Sequence, residues 1–319
     1  MKGRDSGRRS ARASTQDQSQ HPVGLVVASH GRHVVVETPE GQEVTCHPRG
    51  KKSDAVVGDR VRFHVTDSDG REGVLEALEP RRNLLYRQDE WRTKSFAANI
   101  DRLLVLVSAD PVFSESQLAR ALIAAEQARI EVWILLNKID LTEQAATARA
   151  RLEPYRRMGY RVLEVALKAR PQEALLELAP VLSEGVSLVL GPSGTGKSTL
   201  VNLLVPDARA QTGEVSAALN SGRHTTTHTR WYWIHREQGC ALLDSPGFQE
   251  FGLHHIELAD LAHWMADLRP YLGECRFQNC THDHEPGCAV RAALERGDIS
   301  PSRYRIYLEL RTELSQRHW

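Results

Sequence analysis

Val186-Ser187-Leu188-Val189-Leu190-Gly191-Pro192-Ser193-Gly194-Thr195-Gly196-Lys197-Ser198-Thr199 is the stretch from which the rest of the reading follows. An apolar run feeds a G-x-x-x-x-G-K-S pattern, and Leu200, Leu203 and Leu204 continue at helical spacing. Strand, glycine-rich turn and helix start are the context that makes this pattern a phosphate-binding loop. The glycines let the backbone wrap a phosphate with its N–H groups pointing inward, and the helix adds the positive end of its dipole. Lys197 is expected to bridge the outer phosphates and Ser198 to give a hydroxyl to Mg²⁺, with Gly191, Pro192, Ser193, Gly194, Thr195, Gly196 and Thr199 completing the cradle. Pro192 removes one N–H donor at a position where the pattern allows any residue.

About fifty residues upstream stands Asn137-Lys138-Ile139-Asp140, at the end of the apolar run Val132–Leu136. A carboxylate such as Asp140 only accepts hydrogen bonds, and guanine offers N1–H and N2–H₂ as paired donors. Adenine would leave it unpaired, at a cost of several kcal/mol in order of magnitude. Asn137, Lys138 and Asp140 therefore read as the base-selecting element. That element normally follows the phosphate loop. Here the order is reversed, so the chain is expected to be a circularly permuted GTPase domain. Asp244-Ser245-Pro246-Gly247 fits a D-x-x-G element, with Asp244 reaching Mg²⁺ through water and Gly247 meeting the terminal phosphate. Between loop and D-x-x-G, Gly222–Thr229 is threonine-rich and sits where a first switch belongs; Thr226, ahead of Thr225 and Thr227, is the expected second Mg²⁺ ligand.

The sequence of 319 residues balances 41 basic against 41 acidic side chains, so nucleic-acid affinity must come from local patches. One such patch is the 1–20 tail, with Lys2, Arg4, Arg8, Arg9 and Arg12, expected to be disordered. With no apolar run long enough to span a bilayer, a cytoplasmic, membrane-free protein is expected. From 21 to 90, short β-rich runs (Gly24–Ala28, His33–Thr38, Glu43–Cys46, Asp59–Val65, Gly73–Leu78) between turn residues suit a small OB-fold barrel. Arg32, His47, Arg49, Lys51 and Lys52 stud its loops and fit RNA binding, with a plain structural barrel as the alternative. From 91 to 256, strands and helices alternate, which implies a parallel α/β sheet with ligand residues at the strands' carboxyl ends. From 257 to 319 the chain is helical. Ser300-Pro301 opens a last helix with Ile306, Tyr307, Leu310 and Leu314 on one side; Arg303, Arg305, Arg311 and Arg317 read as a solvated face rather than an RNA contact.

Within that last segment Cys275-x₄-Cys280-x-His282-x₅-Cys288 offers three thiolates and an imidazole within fourteen residues. This set suits tetrahedral Zn²⁺ with no position left for substrate, and so a structural site. His284 is a spare ligand on spacing alone. Cys46 and Cys240 stand apart in strand-like runs and read as small core residues.

These features, with Asn99-Ile100-Asp101 and Thr212-Gly213-Glu214, resemble the bacterial small-ribosomal-subunit-dependent GTPases of the RsgA/YjeQ type, over nearly everything after His21. The resemblance implies an N-terminal OB barrel, a central permuted P-loop GTPase domain and a C-terminal helical zinc-binding domain. It implies GTP hydrolysis stimulated by the small (30S) subunit late in its maturation, rRNA contacts, and use of GTP or GDP, Mg²⁺ and one structural Zn²⁺; a monomer is expected. It selects His282 over His284. The second guanine-contacting element, usually Ser-Ala, stands here as Ala166-Leu167. Phe248 occupies the position of the water-orienting glutamine of Ras-like proteins and cannot hydrogen-bond water. The resemblance points instead to His255, in Gly252-Leu253-His254-His255, as the catalytic partner of Lys197. A large-subunit factor and a non-enzymatic RNA-binding adaptor with structural nucleotide are the competing readings.

Overall fold

The computed structural model describes residues 21–50, 54–89, 93–206, 208, 228–247 and 251–316. The 1–20 tail, Lys51, Lys52, Thr212-Gly213-Glu214, Thr225, Thr226, Thr227, Phe248 and Arg317 lie outside them.

The N-terminal unit is a closed five-stranded barrel. Strands β1 (Val23–Ser29), β2 (Val34–Glu37), β3 (Glu43–Pro48), β4 (Arg60–Val65) and β5 (Glu72–Leu78) run in the order β1-β2-β3-β5-β4. An antiparallel β1–β4 pairing closes the ring and a parallel β3–β5 pairing crosses it. Alternation does the folding: Val26, Val34, Val36, Val44, Cys46, Val61, Phe63 and Leu75 point inward and fill the interior.

A separate two-stranded ribbon follows, β6 (Leu84–Gln88) with β7 (Thr93–Ala98), straddling residue 90. Asn99-Ile100-Asp101 then acts as a joint. Asn99 takes a left-handed φ of 57° and its side-chain amide donates to the Gly58 carbonyl of the barrel. The Asp101 carboxylate accepts from Val186 N–H at the start of the phosphate-loop strand and from the Arg82 guanidinium. One short motif thus ties the barrel and the ribbon to the central sheet.

That sheet places β10 (Arg161–Val165), β9 (Glu131–Asn137), β8 (Arg102–Ser108), β11 (Val186–Leu190) and β13 (Cys240–Asp244) side by side and parallel. The apolar runs are continuous because both faces are covered. Leu103, Val105 and Val107 face one core with α1 (Glu115–Gln127) and α2 (Thr142–Arg157); Leu104 and Leu106 face another with α3 (Pro171–Leu178) and α4 (Lys197–Leu204). Ser114 caps α1, its Oγ accepting from Gln117 N–H. Strand β12 (Arg230–His235) adds antiparallel to β13, and Arg230 pairs with Ala28 of β1. Barrel and nucleotide domain therefore share one sheet. A buried carboxylate reinforces the junction: Glu37 of β2 accepts from Trp233 Nε1 and from both arms of Arg236, whose guanidinium also lies over the Trp233 ring.

Beyond Glu257 the chain makes short turns, then α5 (Ala289–Arg296) and α6 (Pro301–Ser315). Ser300 caps α6, and Ile306, Tyr307, Leu310 and Leu314 are buried, as the periodicity predicts. Arg303 corrects the solvated-face reading. It is 2% exposed, makes a bidentate bond to Asp267, and lies over the Tyr155 ring of α2. Arg311 pairs with Asp283, whereas Arg305 is exposed. Arg120 of α1 holds Glu313 of α6 through both carboxylate oxygens, fixing the C-terminal unit to the central one. Among the described residues no helix is long and apolar enough to cross a membrane.

Candidate nucleotide site and cysteine cluster

The permuted motifs meet at the carboxyl ends of three strands of the parallel sheet. Asn137 ends β9, Gly191 follows β11, and Asp244 ends β13, where it pairs with Val189. Asn137 is the hub. Its side-chain amide donates to the Thr195 carbonyl of the phosphate loop, and its Oδ1 accepts from Leu167 N–H. Base element, phosphate loop and the Ala166-Leu167 segment are thereby locked together by one buried side chain. Lys138 turns the chain with a φ of 65°, its ammonium donating to the Asp110 carbonyl. Asp140 then lines a cavity of about 210 Å³ with Asn137, Lys138, Leu141 and Lys168 on one side and Gly194, Gly196 and Thr199 on the other.

The loop has the geometry that its sequence demands. Gly196 sits at φ 110° as the cap of α4, and a β-carbon there would come within 2.4 Å of Asn137 Nδ2. Lys197 is 8% exposed and its ammonium donates to the carbonyls of Gly191 and Pro192, each at 2.8 Å. Burial lowers its pKa, and the Asp244 carboxylate opposes that shift. Gly247 closes in from the D-x-x-G element: a β-carbon on it would lie 3.1 Å from Lys197 Nζ and 3.4 Å from Ser193 N. Ser245 is fully buried and donates to the Val189 carbonyl, which anchors that element to the phosphate-loop strand. Ser198 is the second residue of α4, directly after Lys197.

His255 is set elsewhere, its ring 4.4 Å from that of Tyr86 on β6 and outside the lining of this cavity. The chain just before it is paired with the ribbon, as Gln88 N–H donates to the Gly252 carbonyl and His254 N–H to that of Gln88. Sequence reading missed Lys168 as a lining residue; its signal was its place directly after Ala166-Leu167. It also missed β12 and the β6–β7 ribbon.

The RsgA GTPase family model matches residues 78–254, the interval that holds the base element, the phosphate loop and the D-x-x-G element. The chain is 57% identical over 300 residues to the small ribosomal subunit biogenesis GTPase RsgA of Variovorax paradoxus, covering 93% of each chain. It belongs to the RsgA GTPase family. A namesake from Burkholderia pseudomallei is 52% identical over 92% of each chain. Among solved structures, YjeQ from Thermotoga maritima matches 93% of this chain and all of its own at 29% identity, with a TM-score of 0.70. YloQ, described as a circularly permuted GTPase, matches 96% of the chain at 27% identity, with a TM-score of 0.68.

As an RsgA GTPase, the protein is a GTP-hydrolysing enzyme that works with GTP, GDP and Mg²⁺. Its cysteine cluster fits a structural zinc site. One ligand atom from each of Cys275, Cys280, His282 and Cys288 lies within 4.8 Å of the others. His282 Nδ1 is 3.5 Å from Cys275 Sγ and 3.6 Å from Cys288 Sγ, while His284 points to solvent. Soft thiolates with one imidazole, and no fifth side chain among them, are the donor set of closed tetrahedral zinc. The surrounding bonds orient it: Cys275 Sγ accepts Ala289 N–H, and Tyr304 and Tyr307 hydroxyls donate to the carbonyls of His282 and Thr281. Glu285 gathers the loop by accepting from Thr281 and Asp283; desolvation raises its carboxyl, but the hydrogen bonds together outweigh it and hold the group below the usual range.

Proposed function

We propose that this RsgA-family GTPase acts in late maturation of the small ribosomal subunit, and that engagement of that particle accelerates its hydrolysis of GTP. The observation that carries the reading is the shared cavity: the carboxylate suited to guanine and the loop suited to phosphate line one space, although the chain visits them in inverted order. The names of the relatives, small ribosomal subunit biogenesis GTPase, suggest the particle.

In this reading Asp140 accepts the paired N–H donors of guanine, Lys138 and Lys168 flank the base, and Asn137 keeps Leu167 N–H and the loop in register with it. Lys197 gives up its carbonyl partners for the outer phosphates, where its ammonium stabilises negative charge as the bond to the terminal phosphate breaks. Ser198 and Thr226 are the side chains assigned to hold Mg²⁺, with Asp244 reaching it through water; the ion, when bound, would neutralise charge on the phosphate oxygens. Gly247 N–H serves the terminal phosphate, Phe248 leaves the attacking water without a side-chain partner, and His255 supplies one on leaving Tyr86. Such a rearrangement is the expected step for the partner to control.

The working units are taken as 1–20, 21–90, 91–256 and 257–319, acting as a cytoplasmic monomer whose barrel, basic tail and zinc unit contact rRNA. GTP turnover by the purified chain, alone and with each ribosomal subunit, tests the proposal. Stimulation confined to the small subunit is expected; equal stimulation by both subunits, or none by either, would overturn it.

A further inference from the structure

The barrel carries a cluster that the nucleotide chemistry does not use. On β5, the register passes from Arg62↔Ala77 directly to Phe63↔Leu75, so Glu76 is the extra residue of a β-bulge. Bulges re-aim a side chain, and here the Glu76 carboxylate is turned in beside His64 of β4, with only 1% of its side chain exposed. His21 supplies the third group. The β1–β4 register pairs Val23 with Arg62, and Phe63 N–H donates to the Pro22 carbonyl, so His21 falls directly across from His64. Arg62 holds the His21 carbonyl at 3.1 Å, and the two imidazoles lie 5.5 Å apart between centroids. Three adjacent strand positions thus present two imidazoles and a carboxylate whose ligand atoms fall within 4.8 Å of one another.

The contact between them is informative. His64 Nδ1 and Glu76 Oε1 are 2.7 Å apart and closed off from solvent, yet neither makes a hydrogen bond of acceptable geometry. Two donors of one tetrahedral ion sit roughly 3.3 Å apart, so an ion between them needs only a small parting of this pair. A buried carboxylate otherwise needs its charge matched, and Arg49 does so in this state, its guanidinium 2.7 Å from the same oxygen. Arg49 is itself 61% exposed, so a competing cation displaces it at little cost.

We infer that His21, His64 and Glu76 form a second metal site, separate from the cysteine cluster, that takes a first-row divalent ion of the Zn²⁺ class. Two imidazoles and one carboxylate are borderline donors that suit such ions, and the remaining coordination positions are left to water. The site spans the β1–β4 pairing that closes the barrel, so the ion clips the seam and pins the point where the 1–20 segment enters. Arg49 and the metal are alternatives at Glu76.

The test is a calorimetric titration with Ni²⁺ of the untagged full chain carrying one equivalent of zinc, which the softer cysteine cluster takes first. The wild type should bind one Ni²⁺ per chain beyond its zinc. Loss of a group that merely orients a ligand costs about 10–100-fold in affinity, so His21→Ala should weaken binding by at least about 10-fold. Glu76→Gln should do the same, and Arg49→Gln should tighten binding by removing the competitor. If Glu76→Gln does not fold, His21→Ala still decides, because His21 lies outside the barrel core. No Ni²⁺ bound beyond zinc, binding indifferent to His21, or no tightening in Arg49→Gln would each overturn the assignment.

Discussion

Asn137 shows how much of the site hangs on single atoms. Its amide spans the base element, the loop and Leu167, and it passes close to Gly196, where only a residue without a β-carbon fits at φ 110°. Gly196→Ala is expected to push Asn137 aside and to cost about 1–3 kcal/mol of stability, with at least a ten-fold loss of GTP affinity. Thermal unfolding and nucleotide titration measure both, and an unchanged affinity would mean that the Asn137 bridge is dispensable. What was legible at this scale is placement: the base element and the phosphate loop line one cavity, and Gly196 takes the positive φ that its loop position calls for. Arg303 was not legible. Its burial depends on Asp267 and Tyr155, residues that only the fold brings near, and no spacing within its own helix announces them.

Elements were legible where burial imposes a pattern. Continuous apolar runs gave the parallel strands, and alternation gave the barrel, since each pattern follows from how many faces are covered. Strand β12 was missed although Trp231-Tyr232-Trp233-Ile234 is β-prone, because it joins β13 to β1, a strand near the start of the sequence that only the fold brings alongside. The β6–β7 ribbon was missed for a related reason, having little apolar alternation of its own. Helix α6 supports a pH prediction. The hydrogen bond from Arg120 holds the Glu313 carboxyl below its ordinary value, against some desolvation. The pair's contribution is therefore complete above the unfolded value of about 4.3 and fades as pH falls through the lowered folded one. Glu313→Gln should be less stable than wild type by about 1 kcal/mol at neutral pH, with the gap closing in acid. Denaturant melts at several pH values read this directly; a gap constant with pH would remove the ion pair as its cause. The zinc cluster makes a second case. Segment 275–288 is held by its ligands and by Tyr304 and Tyr307, so chelation should melt the C-terminal unit early while GTP binding persists. Loss of GTP binding on chelation would contradict the separation.

At the scale of the whole molecule, the chain threads a nucleotide site between two appendages and ties each to it by a buried charge. Glu37 fastens the barrel to β12, the strand that leaves the first-switch segment, and Arg303 with Asp267 and Arg120 with Glu313 fasten the C-terminal unit to α1 and α2. Glu37→Ala leaves the Arg236 guanidinium without its carboxylate, and should cost about 1–3 kcal/mol and loosen the barrel. Proteolysis that releases the barrel faster from Glu37→Ala than from wild type is the expected sign. The proposed function requires one guanosine triphosphate held by two segments that the sequence presents in inverted order. Competitive equilibrium binding of GTP and ATP to the wild type and to Asp140→Ala tests this most directly. The wild type should prefer GTP by at least about 100-fold and Asp140→Ala should lose most of that preference; comparable affinities for the two nucleotides in the wild type would contradict it.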